Sequence, residues 1–363
     1  MILCHVVSRS ANRFDDRIHR QHRWIPSWSG EVLGKCALPS TLSGMSAEDP
    51  LTIAAAAIRA GHLVGMPTET VYGLAANAFD AAAVLRVFSA KGRPTFDPVI
   101  VHVADAAQAW TVARPSPRAE RLAAACWPGP LTMVLPRTSI VPDVVTSGLD
   151  TVGVRCPDHP LALALIRAAG VPLAAPSANP FGRISPTTAA HVREQLGDAV
   201  AVVLDGGPCR VGIESTVLLP DPKPIILRPG GVTRERLEEI LGEPVTVADR
   251  NVRAASLPQQ APGMLPSHYA PVKPLRLRSS GEAWPTDPSI GVLAFTGQHL
   301  PSSLRQVEVL SRHGDLAEAA AGLFAALRRL DASDVTALVA ELLPDHGLGL
   351  GINDRLRRAA GLG

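Results

Sequence analysis

The stretch from Pro67 to His102 constrains this chain more than any other. It carries three polar clusters: Pro67-Thr68-Glu69-Thr70-Val71-Tyr72-Gly73-Leu74, Lys91-Gly92-Arg93-Pro94, and Asp97-Pro98-Val99-Ile100-Val101-His102. Each stands at the end of an apolar segment. Leu63 to Met66 is apolar and stops at Pro67, as a buried strand does where its ladder ends. Asp80 is a good N-cap for the run that begins at Ala81, and Gly92 followed by Pro94 is the order that ends a helix. The pattern predicts a strand–loop–helix–loop–strand unit with its polar groups at the element ends. Lys91, Arg93 and His102 then read in two ways. They are a helix-end cation, a solvated loop residue and a satisfied histidine, since cations are favourable at helix C-termini. Or they form an anion site at the ends of adjacent elements, where open α/β sheets hold ligands.

Composition narrows the class. A chain of 363 residues, 46% hydrophobic, has room for two domains and a sizeable core. Its net charge of +2 gives no overall field for nucleic acid or a membrane surface. Aromatic residues at 4% do not furnish a stacking platform for single-stranded nucleic acid. The five cysteines are odd in number and include no Cys-x-x-Cys pair. Neither a disulfide framework nor a zinc knuckle is indicated, and a reducing cytoplasm is the expectation. No apolar run approaches about 18 residues, so no membrane span is expected. A Gly-x-x-x-x-Gly-Lys phosphate loop is absent, and Gly347-x-Gly349-x-Gly351 misplaces the third glycine of a dinucleotide fingerprint.

Four regions follow along the chain. Residues 1–44 lack sustained periodicity and read as a non-conforming extension ahead of Met45; Asp15, Asp16 and Glu31 count against a transit peptide. Residues 45–250 hold the main domain. Within it Thr151-Val152-Gly153-Val154-Arg155 is a strand with Thr151 and Arg155 on one face and Val152 and Val154 on the other. That polar face is either solvated or the wall of a site, and the planar fork of Arg155 suits a carboxylate. Pro172–Asn179 is a short strand running into a polar loop, with Ala175 and Ser177 on one side. Ser185 precedes a helix over 187–196, as a cap, a turn residue or a ligand-binding hydroxyl. Residues 212–217 and 225–231 read as strands. Residues 251–275 are a linker kept extended by Pro258, Pro262, Pro266, Pro271 and Pro274. A spacer has no need of His268 and Tyr269, which either anchor it or serve as part of a lid. Residues 276–363 read as a smaller α/β domain. It has a strand over 290–295, an amphipathic helix from Leu316 to Leu330 and a strand or helix over 335–343. A last helix opens at Gly349, with Asn353 as a cap.

The residue inventory points to charge stabilisation. No Ser-His-Asp or Cys-His order and no paired carboxylates stand out, which disfavours a covalent hydrolase and a glycosidase. Lys91, Arg93, Arg155 and Arg228, with several hydroxyls, suit a polyanionic substrate.

The motifs quoted above, with Trp127-Pro128-Gly129-Pro130-Leu131-Thr132, Gly212-Ile213-Glu214-Ser215-Thr216-Val217 and Ile225-Ile226-Leu227-Arg228-Pro229-Gly230-Gly231, resemble the YrdC-like family. His268-Tyr269-Ala270-Pro271 and the C-terminal stretch from Gly349 to Leu356 are similar to its two-domain threonylcarbamoyl-AMP synthase branch. The resemblance spans roughly residues 45–363. It implies an open, twisted, mixed sheet followed by a smaller Rossmann-like α/β domain. It implies a reaction in which L-threonine, bicarbonate or CO2, and ATP give threonylcarbamoyl-AMP and pyrophosphate. Threonine falls to Thr70, His102, Arg155, Ala175 (through its backbone) and Ser215. ATP falls to Arg93, Asp97, Thr151, Ser177, Ser185, Arg228 and Tyr269, with Lys91 and Arg93 as catalytic cations at the phosphates or the carbamate. Asp97 stands where asparagine is commoner in the family, and a carboxylate only accepts hydrogen bonds. Mg²⁺ is expected with the triphosphate, and no protein-held metal. The product is expected to pass to a separate transferase that modifies tRNA adenosine beside the anticodon, with at most weak tRNA contact here. Two other readings are a double-stranded RNA or tRNA binding module and a carbamoyl-transfer maturation factor. The near-neutral charge disfavours the first, and the lack of cysteine pairs disfavours the second.

Overall fold

The alternation in Thr151–Arg155 is realised in the middle of a ten-stranded mixed sheet. The computed structural model describes residues 49–248 and 268–362. The expected extension over 1–44 and residues 251–267 of the expected linker lie outside them. The strands of the large sheet are β1 (Val64–Met66), β2 (Gly73–Asn77), β3 (Val101–His102), β4 (Leu131–Pro136), β5 (Thr151–Arg155), β6 (Leu173–Ala174), β7 (Val202–Val203), β8 (Thr216–Leu219), β9 (Ile225–Arg228) and β10 (Thr246–Val247). They run in the order β10-β9-β8-β4-β5-β3-β6-β2-β1-β7. β3 is parallel to β5, which places His102 beside Arg155, while β4 is antiparallel to β5. A second sheet is wholly parallel, in the order β11-β14-β12-β13. Its strands are β11 (Leu275–Arg278), β12 (Ile290–Ala294), β13 (Val307–Val309) and β14 (Ala337–Glu341).

The helices are α1 (Pro50–Arg59), α2 (Ala81–Lys91), α3 (Ala106–Val112), α4 (Pro117–Cys126), α5 (Asp143–Thr146), α6 (Pro160–Ala169), α7 (Ala189–Leu196), α8 (Arg234–Leu241), α9 (Leu316–Ala332) and α10 (Gly349–Ala359). Their ends follow the local chemistry. Asp80 accepts from the backbone of Ala82 and Ala83 at the start of α2, and Gly92 takes the left-handed conformation at its end. Leu131, Met133, Leu135, Val152 and Val154 share one core with α3, α4 and α8. Thr132 in β4 and Arg155 at the end of β5 face away from that core, on the side where Val134 packs with Val217 and Leu227. No helix among the described residues is long and apolar enough to cross a membrane.

Three readings of local structure are corrected. The strand expected over 212–217 begins only at Thr216, because the Cβ-free Gly212 at φ 75° turns the chain against α9. The opening unit contains a further strand, β2, antiparallel to β1. Asn353 lies inside α10 and caps nothing. Its side chain bonds both the N–H and the carbonyl of Leu343 at 2.8 Å, tying the helix to the end of the last strand. The open choice over 335–343 resolves as strand β14.

The smaller sheet is built into the larger body. Val71, Ile184, Ile213 and Tyr269 pack in one cluster with Leu323, Phe324 and Leu327 of α9. A Cβ on Gly212 would lie 2.4 Å from the carbonyl oxygen of Ala320, so only glycine allows this approach. Ile213, fully buried, is the apolar pin of the junction. Ile213→Ala is expected to cost about 2–4 kcal/mol, read as a lowered urea midpoint at unchanged slope. A variant as stable as the native chain would show the junction to be soft.

Candidate functional site

Parallel pairing brings the ends of β3 and β5 to the same edge, and the loops after β1, α2 and β6, the segment leading into β8 and the end of β9 converge on it. They line a small, partly open cavity whose wall includes Arg93, His102, Arg155, Ala175, Ser177, Ser215, Arg228 and Tyr269. Those expected site residues therefore meet in one place, although they come from widely separated stretches of chain.

Others stand directly behind the wall. The Thr70 hydroxyl lies 2.9 Å from that of Thr68, which is itself in the wall. Asp97 pairs with Arg93 at 3.0 Å, both nearly inaccessible. The Arg93 guanidinium also donates to the carbonyls of Asp97 and Pro98, so the loop fixes its direction. Ser185 donates to Glu214 at 2.5 Å. Lys91 is buried with its ammonium on the carbonyls of Ser177 and Asn179. It is neither a solvated helix-end cation nor part of the cavity wall; it braces the loop that carries Ser177. Burial, and then the neighbouring Arg93, hold its pKa well below that of an ordinary lysine. Thr151 is not brought in. It shares the polar face of β5, but four residues of strand put it about 13 Å from Arg155.

The wall is cationic, and each cation has a partner from a loop. Arg155 Nη2 lies 2.7 Å from Glu69 Oε1, with the two side chains 4% and 0% exposed. The pair is not aligned as a hydrogen bond. Among the described residues Arg155 Nε has no acceptor, and Nη2 meets only the misaligned Glu69 oxygen. Buried donors of that kind mark the place where a ligand completes the bonding. Arg228 donates to the carbonyl and hydroxyl of Ser215, and the Ser215 hydroxyl meets that of Thr132 at 2.8 Å. Burial pushes the Glu214 carboxyl up, but the Arg355 and Arg228 cations, helped by the Ser185 hydroxyl, outweigh it and hold it below the usual range.

Two histidines complete the wall. Burial and the Arg155 cation lower His102 to about 3, so its ring is neutral near neutral pH, and its Nδ1 has no partner among the described residues. His268 is lowered still more clearly by burial and by Arg93 and Lys91. Its ring stacks edge-on against Tyr269 at 4.2 Å between centroids. Tyr269 sits at φ 64°, a left-handed conformation that costs a side-chain-bearing residue about 1–2 kcal/mol. Outliers of this kind cluster at ligand clamps and active sites.

Glu69, Glu214 and Arg355 were absent from the expected site. The two carboxylates lie inside motifs already singled out, at Thr68-Glu69-Thr70 and Ile213-Glu214-Ser215. A reading that sought cations and hydroxyls passed over the acids that hold the cations. Arg355 carried no signal beyond a charge on an otherwise apolar helix stripe. Among the described residues no cluster of histidine, cysteine and acidic groups could hold a metal ion.

Residues 56–230 match the family Sua5_yciO_yrdC, described as telomere recombination. Residues 232–361 match the threonylcarbamoyl-AMP synthase C-terminal domain. The chain is 43% identical over 330 residues to the threonylcarbamoyl-AMP synthase of Bacillus subtilis (strain 168), covering 87% of this chain and 95% of that one. It is 42% identical over 335 residues to the synthase of Pyrococcus abyssi (strain GE5 / Orsay), covering 86% and 94%. The crystal structure of P. abyssi Sua5 complexed with L-threonine superposes with a TM-score of 0.77 at 41% identity, over 86% of this chain and 94% of that one.

The neutral histidines make stability depend on pH. In the unfolded chain a histidine takes up its proton near pH 6.5, whereas folded His102 stays neutral to about pH 3 and His191 to about pH 4. Stability is then fully present above pH 6.5 and is lost as the pH falls below it, by up to about 1.4 kcal/mol per pH unit for fully buried His102. Asp97, raised by burial, works in the opposite sense at lower pH. Urea unfolding at stepped pH between 7.5 and 5 is expected to show the decline, and His102→Gln should reduce proton uptake on unfolding by about one. An unchanged slope in that variant would mean that His102 is protonated in the fold.

Proposed function

The chain belongs to the two-domain Sua5 branch of the YrdC-like threonylcarbamoyl-AMP synthases, and on that premise we infer that it condenses L-threonine, bicarbonate or CO2, and ATP into threonylcarbamoyl-AMP and pyrophosphate. The observation that carries this reading is Arg155. A buried guanidinium on the cavity wall, with Nε lacking an acceptor among the described residues and Nη2 paired with Glu69 out of hydrogen-bond alignment, suits the grip of an amino acid carboxylate. That P. abyssi Sua5 was crystallised with L-threonine supports the choice of amino acid.

The roles follow the geometry. Arg155 takes the threonine carboxylate. Neutral His102, the Ser215 hydroxyl and the Ala175 backbone surround the rest of the molecule, with Thr70 acting through Thr68. Arg93, Arg228, Ser177 and Tyr269 form the nucleotide side, and Ser185 acts there through Glu214. Lys91 keeps the 177–179 loop in place for the phosphates. Asp97 serves this side by orienting Arg93, and Thr151 enters it only by its resemblance to the family. The threonine nitrogen adds to CO2 to give a carbamate. A carbamate oxygen then attacks the α-phosphorus, the bond to the bridging oxygen breaks, and pyrophosphate leaves. No protein nucleophile takes part; the cations position the phosphates and balance the charge that develops on them.

The nearby carboxylates are committed, Glu69 to Arg155, Asp97 to Arg93 and Glu214 to Arg355. They do not form a cage for a divalent ion, so Mg²⁺ is expected to enter as MgATP, held by phosphate and water oxygens. The mixed anhydride is labile in water. The buried His268–Tyr269 pair lies in the wall of the site, where it would help exclude solvent during the reaction. We place the enzyme in the cytoplasm, handing its product to a tRNA-modifying transferase with at most weak tRNA contact of its own.

Incubation with MgATP, L-threonine and bicarbonate is expected to yield threonylcarbamoyl-AMP by mass spectrometry, with threonine-dependent pyrophosphate. Threonine-dependent orthophosphate without pyrophosphate would overturn the reading. Arg155→Lys should raise KM for threonine by about tenfold or more and leave that for ATP nearly unchanged, because an ammonium cannot reproduce the fork. The reverse pattern would reassign Arg155 to the nucleotide.

A further inference from the structure

Arg355 is wholly buried, yet it lies on α10, the last helix of the chain, outside the cavity wall. Its Nε donates to Glu214 Oε2 at 2.8 Å, and its Nη1 donates to the Pro229 carbonyl at 2.6 Å. Its guanidinium carbon lies 5.4 Å from the centre of the Tyr269 ring. The same helix accepts the His268 N–H on the carbonyl of Arg358. Each contact ends on a segment that forms the wall. Glu214 receives the Ser185 hydroxyl and precedes Ser215, Pro229 follows Arg228, and His268–Tyr269 covers the cavity. One planar group thus registers three segments that are far apart in sequence.

The approach is built in. A Cβ on Gly230 would lie 2.2 Å from the Glu214 carbonyl oxygen. One on Gly351 would lie 2.9 Å from Ile213 Cδ1 and 3.3 Å from the Gly230 Cα. Gly230 thus lets the backbone of 214–216 close on the strand end that carries Arg228, and Gly351 lets α10 lie against Gly230. Nothing in simple packing requires a cation at the centre of that contact, since a buried ion pair contributes little to stability over an apolar pair of like volume. Geometry is what a guanidinium fork supplies and an apolar side chain does not.

We propose that Arg355 is a positioning residue for the nucleotide, through which the C-terminal domain sets Glu214, Arg228 and Tyr269 in the arrangement that takes ATP. The C-terminal domain is on this account part of the ATP site. The inference rests on the nucleotide side lying where Arg228 and Tyr269 place it.

The test uses the full chain with Arg355→Lys, Glu214→Gln and the double variant Arg355→Met/Glu214→Gln, which removes both members of the buried pair. MgATP and L-threonine are titrated separately by calorimetry, and KM is measured for each. Arg355→Lys is expected to weaken ATP binding about tenfold or more while threonine affinity moves less than about twofold. The double variant should bind ATP more weakly than Glu214→Gln alone. Folded variants with native ATP affinity overturn the proposal, and so does an equal loss for threonine, which would mark a general collapse of the site. Failure of both Arg355 variants to fold also overturns it, by making Arg355 a stability element. ATP binding is read without product formation. A native chain that binds ATP but makes no adenylate therefore removes the proposed reaction and leaves this test standing.

Discussion

Burial of arginine governs this molecule. Arg93, Arg155, Arg228 and Arg355 are all nearly inaccessible, and three of them sit in the wall of one cavity. A cation taken out of water must be given carboxylates and carbonyls with good geometry, and stripping one partner from such a pair costs about 3–5 kcal/mol. Glu69, Asp97 and Glu214 meet that requirement, each from a loop at the edge of the sheet. The ion pairs therefore fix where these loops lie relative to the strands. A site made this way presents fixed positive charge to a polyanion, with little reorganisation needed when the substrate arrives.

The large sheet makes this arrangement affordable. One face of β4 and β5 carries Leu131, Met133, Val152 and Val154 into a dry core, so the other face is free to hold Thr132 and Arg155. The smaller sheet then closes the polar side. Its helices α9 and α10 bury Ile213 and Tyr269, and the Gly212 contact brings its backbone against that of α9. The neutral histidines follow from the same closure, because a ring enclosed among guanidinium groups cannot keep a proton.

Much of the fold could be read from local pattern. Asp80 and Gly92 marked α2, the alternation of Thr151–Arg155 marked β5 with its two faces, and Leu316–Leu330 marked α9. These signals depend on residues within one turn or one strand of each other, where sequence spacing and spatial spacing coincide. Expectation failed where distant backbone decided the outcome. Residues 212–215 form a turn because α9 presses on Gly212, and Asn353 serves Leu343 rather than a helix end. A capping amide and a bridging amide look the same in sequence.

The sequence by itself determined the chemical cast: cations and hydroxyls at element ends, neither a phosphate loop nor a catalytic triad, and motifs whose combination resembles a single family. It also placed Arg155 on the polar side of its strand, because alternation is a property of the extended backbone alone. Only the tertiary structure decided which of these groups meet. It set Lys91 behind the wall, left Thr151 at the far end of β5 and brought Arg355 across from the last helix to Glu214. Pairing a cation with a carboxylate 141 residues away in the chain is a matter of how two sheets pack, and no local pattern encodes it.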